Sequence, residues 1–386
     1  MKHLFSILAL FAVTSVSSGQ IFGPDPDKPD TDPQEMLDAI ISAPADDDCG
    51  TIVDPQAVLF EQRLRAEGFF DRGYGARTGN YAVIRVAIRV VVRNDGSGAI
   101  SGTKLQQFFD FAAPRLAEAG IILAPMYGMY IYSDTFYTPP NSATVSELLV
   151  HDPVPNALNI YFTGNPPGIN GLASLPFGNG GVVMRNGAPL STFAHEVGHY
   201  FGLYHTHETG FGAECVARNN CGNTGDLLCD TPADPNLSAS VNNACQYTGT
   251  FTDPCQGTAY APYTNNIMSY AQNRDCRTAF TPGQIARMNS FLTYHTRIDK
   301  IIRTTDCPSV LYVDSNGGGA SSLPIGTWVR PYTDLGNAVA ATAGGGCSRI
   351  VYLRVGPTQY LEPSLNGRCI ITTAPEGAGS VFIRRP

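Results

Sequence analysis

The stretch HEVGHYFGLYH, residues 195–205, limits what this chain can become more than any other. It places His195, Glu196, His199, Gly202 and His205 in the pattern H-E-x-x-H-x-x-G-x-x-H. On a helix, side chains four residues apart lie one above the other, so His195 and His199 can bind one ion together. Glu196 then stands beside the ion rather than on it, placed to take a proton from a bound water. Gly202 can adopt a positive φ and turn the chain sharply, which returns His205 as a third ligand. Three protein ligands leave a fourth position for water, the arrangement of catalytic rather than structural zinc. An amphipathic helix with surface histidines is the plainer reading. It leaves unexplained why three of the chain's seven histidines fall in this frame. His207 is a fourth nearby histidine, expected behind the ligands or facing solvent.

The surrounding patterns predict an α+β domain. Residues 81–94 are rich in β-branched side chains, with Arg85, Arg89 and Arg93 on one strand face and Ile84, Val86, Ile88, Val90 and Val92 on the other. Ser101 caps a predicted helix in which Leu105, Phe108, Phe109, Ala112 and Leu116 recur at helical spacing, and Gly120 closes it. Pro114 predicts a kink or a break inside that helix. Residues 126–137 and 157–164 read as further strands, and 171–178 and 181–187 as two short ones. The metal-site helix is predicted from Ser191 to about Gly202. Strand, helix, four strands and helix in that order imply a mixed sheet with helices packed against it. A loop-rich stretch, 206–265, is dense in Cys, Asp, Asn and Gly. After it comes a final helix, with Thr281 as cap, Pro282 in the first turn and Gln284 completing a capping box.

The ends of the chain differ in character. Residues 1–20 read as an export signal, with an apolar run from Leu4 to Val13 too short to span a bilayer. No later stretch is apolar for long enough either, so the expectation is a secreted, extracellular protein without a transmembrane segment. Ten cysteines suit an oxidising compartment. A net charge of −8 with 15% charged residues gives no footprint for nucleic acid. Residues 22–48 are rich in Asp and Pro, and Arg63, Arg65, Arg72 and Arg77 follow. The division expected is a signal peptide (1–19), a pro-segment (20–80) cut between Arg63 and Arg77, a catalytic domain (81–304) and a small all-β C-terminal module (305–386). Within that module a helix is expected near 334–341. Its architecture is either the opening coils of a parallel β-helix or a small β-sandwich.

The zinc pattern, together with the methionine in NNIMSY (265–270), resembles the metzincin clan of metallopeptidases. GDLLCDTP (225–232) and CRTAFTPGQIARM (276–288) bring the resemblance closer to the pappalysins, over roughly residues 81–296. The resemblance implies a cleft whose antiparallel edge strand, within 171–178, binds extended substrate by β-augmentation. It implies a turn at Met268 beneath the metal, and a hydroxyl on Tyr270 that helps hold the oxyanion; a buried structural tyrosine is the alternative. It raises calcium (Ca2+) near Asp226, Asp230, Thr231 and Asp234, against a merely solvated acidic turn. It also raises a zinc-blocking thiolate at Cys49, against a disulfide there, and a disulfide from Cys276 to Cys255 or Cys245. The function implied is a monomeric zinc (Zn2+) endopeptidase of extracellular proteins or peptides, with Glu196 as general base. The competing reading is a secreted binding or adhesion protein with a vestigial peptidase domain; an intact Glu196 argues against it.

Overall fold

Strand β1 (Ala82–Val92) is the spine of the sheet in the computed structural model. The structure describes residues 48–71, 81–178, 180–303, 310–314, 325–341, 349–353, 360–361, 369–373 and 383–384. The expected export signal lies outside the described residues. β1 pairs in parallel with β2 (Ile121–Tyr132) on one side and β3 (Leu158–Thr163) on the other. β5 (Val182–Arg185) continues in parallel beside β3, and β4 (Gly171–Ala173) closes that edge antiparallel. The order is β2-β1-β3-β5-β4, with the short β6 (Ile302–Arg303) antiparallel to the start of β1. The mixed sheet and its antiparallel edge are as expected, although β4 keeps only three residues of 171–178.

Both faces of β1 are covered. Ile84, Val86, Ile88 and Val90 share one core with α2 (Gly102–Glu118), through Leu105, Phe108, Phe109, Ala112 and Leu116. Burial of this stripe explains why α2 runs unbroken through Pro114, whose cost of about 3 kcal/mol it exceeds. On the opposite face Val91, Tyr161 and Val183 pack with Val145 and Leu148 of α4 (Ser142–Leu149). Of the three arginines on that face Arg89 is buried and Arg93 is exposed. Arg89 is 1% exposed, and its guanidinium lies 2.7 Å from Asp152 and 2.8 Å from the Met129 sulfur. A charge taken out of water needs such a partner.

Two element boundaries differ from expectation. β2 starts directly after Gly120, where φ is 70°, rather than at residue 126. Its end gives way to a helical turn, α3 (Asp134–Tyr137), capped by Ser133. α4, capped by Asn141, was not expected at all. Ahead of β1, the residues assigned to the pro-segment include a helix, α1 (Pro55–Ala66), capped by Asp54.

Beyond the sheet lie α5 (Leu190–Tyr200) and α6 (Pro282–Tyr294), the latter with the capping box of Thr281 and Gln284 in place. The loops between them carry disulfides Cys215–Cys255, Cys221–Cys229 and Cys245–Cys276. Cys245 is thus the partner of Cys276. α7 (Thr296–Ile301) leads back into β6. In the tail, β7 (Val310–Val313), β8 (Arg349–Leu353) and β10 (Cys369–Thr373) form one parallel sheet, and β9 (Tyr360–Leu361) and β11 (Ile383–Arg384) another. The short helix α8 (Leu335–Ala340) falls where a helix was expected. Tyr312, Trp328 and Val329 join the core of the main sheet, with the Trp328 ring 5.6 Å from Phe109. Among the described residues no helix is long and apolar enough to cross a membrane.

Candidate metal centre and cleft

Every residue of α5 from Ser191 to Tyr200 is buried, so its polar side chains face one another rather than water. The helix ends at Tyr200, and Gly202 turns the chain with φ 91°. A Cβ at Gly202 would lie 2.1 Å from the Phe291 ring, so the position admits glycine alone for two reasons. That turn carries His205 back over the helix. The Nε2 atom of His199 lies 3.0 Å from Nε2 of His195 and 3.0 Å from Nε2 of His205.

The outer ring nitrogens settle the tautomers. His195 Nδ1 is 2.7 Å from the Ile267 carbonyl and His199 Nδ1 is 2.8 Å from the Leu203 carbonyl. A ring nitrogen that close to a carbonyl carries the hydrogen, which leaves each Nε2 with a bare lone pair. Burial holds His199 down to about 4 and pushes His195 and His205 well below the usual histidine range, so the imidazoles are neutral. Bare lone pairs converging at this range repel unless a cation lies between them. The Cys49 sulfur joins the same cluster, all four donor atoms falling within 4.8 Å of one another. Nitrogen and sulfur donors in this number suit zinc and not a hard cation.

Met268 lies fully buried beneath the helix. A Cβ on Gly198 would lie 2.8 Å from its sulfur, so glycine lets the turn approach. The Thr206 amide donates to the Met268 carbonyl at 3.2 Å. The turn thus holds two histidines at once, His195 through the Ile267 carbonyl and His205 through its neighbour.

Glu196 is fully buried, and its Oε2 accepts from the Cys49 thiol at 3.3 Å and the Thr51 hydroxyl at 3.4 Å. Burial pushes its carboxyl well above the usual range. Tyr270 donates its hydroxyl to the Cys49 carbonyl at 2.7 Å, and its ring lies 4.8 Å from that of His205. His207 stands behind, its ring 5.0 Å from His205 and 4.4 Å from Tyr270. The structure therefore brings together His195, His199, His205, Glu196 and Tyr270.

Residues 48–51 fill the space over this cluster. The Asn170 amide donates to the Asp48 carbonyl at 3.0 Å, and the Gly50 amide to Gly171 at 2.9 Å. Cys49 bridges Gly171 in parallel, so the segment runs along β4 in the same direction. Cys49 forms no disulfide. Further along, Glu61 of α1 is 2% exposed and meets Arg287 of α6 at 3.2 and 2.7 Å. Sequence reasoning singled out Cys49 but missed Asp48, Thr51, Glu61, Arg277 and Arg287. Only their contacts distinguish them from ordinary charged residues.

The calcium expectation finds no support. Asp226 spends its carboxylate on Thr231 and the Leu228 amide, Asp234 on Thr206, and Asp230 on the Gly283 amide. These carboxylates do not converge on a common point among the described residues.

Residues 170–293 match the family described as pregnancy-associated plasma protein-A, a peptidase family. An extracellular metalloprotease of Pyricularia oryzae is 34% identical over 151 residues, covering 34% of this chain and 47% of its own length. Pappalysin-1 of Homo sapiens is 33% identical over 154 residues, 35% of this chain and 9% of that protein. Residues 170–293 are thus similar to the pappalysin peptidases. An extracellular metalloprotease of Verticillium alfalfae is 39% identical over 102 residues, 26% of this chain and 30% of its own. The chain thus spans less than half the length of these relatives. Among solved structures, a promirolysin mutant of Tannerella forsythia aligns with TM-score 0.48 and 21% identity, over 66% of this chain and 96% of that one.

Proposed function

We propose that this chain is the latent form of a secreted zinc endopeptidase acting on extracellular proteins or peptides. The observation that carries the reading is the convergence of three neutral imidazole nitrogens beside a buried carboxylate. His195, His199 and His205 would hold the ion. Bound there, zinc supplies an acidified water, with a pKa near about 7, and polarises the scissile carbonyl.

Glu196, buried beside the three imidazoles, would serve as the general base that accepts a proton and returns it to the leaving amine. Tyr270 donates its hydroxyl to the oxyanion, as it now donates to the Cys49 carbonyl at 2.7 Å. Substrate pairs with the free edge of β4. Residues 48–51 occupy that edge and bury Glu196, and the Cys49 sulfur fills the position that water needs. The pro-segment therefore blocks the site in three ways at once. Secretion is favoured by the extracellular relatives and by disulfides in the loops.

The test is elemental analysis of the purified protein together with a His199→Ala variant. One zinc per chain, lost in the variant, is the expected result. Full metal content in a folded His199→Ala protein contradicts the reading.

A further inference from the structure

Among the described residues, Arg277 is a buried cation whose guanidinium pairs with no carboxylate other than that of Asp48. It is 0% exposed. Its Nε and Nη2 atoms donate to the Ser191 hydroxyl at 3.1 and 2.9 Å, and Nη2 also donates to Thr192 at 3.0 Å. Nη1 donates to the Ser269 carbonyl at 3.2 Å. These four contacts come from α5 and the Met268 turn, so they persist whether or not the pro-segment is present. The remaining partner is the Asp48 carboxylate, which forms a buried ion pair with Nη1.

Asp48 is received by a built site. Arg274 Nε lies 3.3 Å from its carboxylate, the Asn170 side-chain amide 2.8 Å, and the Thr192 hydroxyl 3.3 Å. Burial raises the Asp48 carboxyl, but Arg277 and Arg274 more than offset this and hold it at about 2. When residues 48–51 leave, the pocket keeps two guanidiniums, an amide and a hydroxyl aimed at an empty place. A buried guanidinium without an anion is costly, and the next carboxylate to arrive relieves that cost.

The place of the pocket along a substrate follows from chain direction. Asp48 precedes Cys49, whose sulfur lies among the three histidines. The 48–51 segment runs parallel to β4, whereas a substrate that adds to this edge antiparallel runs the opposite way. Reversal places the residue that follows the scissile bond where Asp48 now sits.

We propose that Arg277, with Arg274, makes the mature enzyme select an acidic side chain, Asp or Glu, immediately after the bond it cuts. Asp48 is the internal copy of that side chain, inserted backwards. This rests on the peptidase reading above and adds the substrate class to it.

The activated full-length product is incubated with an unbiased peptide mixture, and the cut sites are read by mass spectrometry. Asp and Glu following the scissile bond should be enriched roughly tenfold or more over Lys and Arg. Arg277→Gln should erase that enrichment, and Arg277→Lys should keep part of it. If neither variant folds, the wild-type cut-site profile still decides. A binding arm needs no turnover. The activated Glu196→Ala protein should hold a fluorescent acidic peptide from that mixture about tenfold or more tighter than its amide twin, by anisotropy. Zinc-dependent cutting with a neutral, basic or differently placed preference overturns the inference and leaves the peptidase reading standing. No cutting of any peptide overturns both.

Discussion

Glu196 is the residue whose role is most open to a clean test, because it touches no ring nitrogen of the histidine cluster. Its Oε2 spends its hydrogen bonds on Cys49 and Thr51, both of the proposed pro-segment. Replacing it with alanine should therefore leave zinc and fold in place after activation. Hydrolysis should fall by about a thousandfold, within the range that general acid–base catalysis supplies. Turnover of peptides by the folded variant, measured beside its zinc content, checks this. The site was legible in the sequence to the extent that it is local. His195, Glu196, His199, Gly202 and His205 lie within one helix and its turn, so spacing alone specified them. Tyr270 followed only from the resemblance, since a tyrosine after a methionine has no pattern of its own. Asp48 and Arg277 were not legible. They lie 229 positions apart, and nothing in either neighbourhood announces the pair. Arg89 is a related case: alternation marked the strand face it lies on, but only Asp152 explains its burial.

At the scale of elements, α1 ties residues 48–71 to the helices and loops around the candidate site. Ala57 packs with Leu175, Tyr204 and Leu227, while Leu64 packs with Phe69 and Phe291. Glu61 anchors the helix to Arg287, with Arg65 and the Tyr204 hydroxyl beside it. Burial raises the Glu61 carboxyl, but Arg287 and Arg65 more than offset it, so its folded pKa lies below the usual range. A depressed carboxylate contributes stability above its ordinary pKa and loses it as pH falls through the lowered value. Acid should accordingly loosen α1, and Glu61→Gln should do so at neutral pH. Removing one partner of a buried pair costs about 3–5 kcal/mol, a cost limited here by undocking. Faster hydrogen exchange over residues 55–66 is the readout, and unchanged protection in the variant contradicts it. The Cys245–Cys276 bond closes a separation of 31 residues around Met268. Its loss in Cys276→Ser should cost about 3–4 kcal/mol, seen as a lower urea midpoint. Helices with strong caps and stripes, α2 and α6, were legible, and α5, which has no side-chain cap, was legible from its histidine spacing. α4 was not, being eight residues long with only Val145 and Leu148 buried. β2 was placed late because its early residues, Ile121 to Pro125, follow the glycine turn without the aromatic pattern that marked the rest.

At the scale of the molecule, the proposed division into pro-segment, catalytic domain and tail is uneven in how firmly its parts are joined. The start of the tail shares the main core through Tyr312 and Trp328, so β7 and residues 325–330 are not separable from the sheet. The proposed pro-segment, by contrast, is joined by buried charges at Asp48 and Glu61 and by a sulfur at the histidine cluster. Removing it therefore requires one cut and the loss of those contacts. The arginines proposed as cut sites are not equivalent. Arg63 and Arg65 lie in the last turn of α1, and Arg65 donates to Glu61 at 3.0 Å and to the Gly222 carbonyl at 2.7 Å. A protease needs an extended chain, so a cut there would first have to unwind the helix. Arg72 and Arg77 follow that helix and precede β1. We expect activation at one of these two. The full-length precursor should be slow, a single cut between residues 72 and 80 should raise activity, and the fragment carrying Cys49 should then depart. N-terminal sequencing and the intact mass of the active form measure this together. An active enzyme that still begins near Gln20, with no gain on trimming, would mean that residues 48–71 are a permanent part of the domain. In that case Asp48 and Cys49 would have to leave the cleft by movement rather than by loss. Fragment departure separates the two, because only proteolytic release makes activation irreversible.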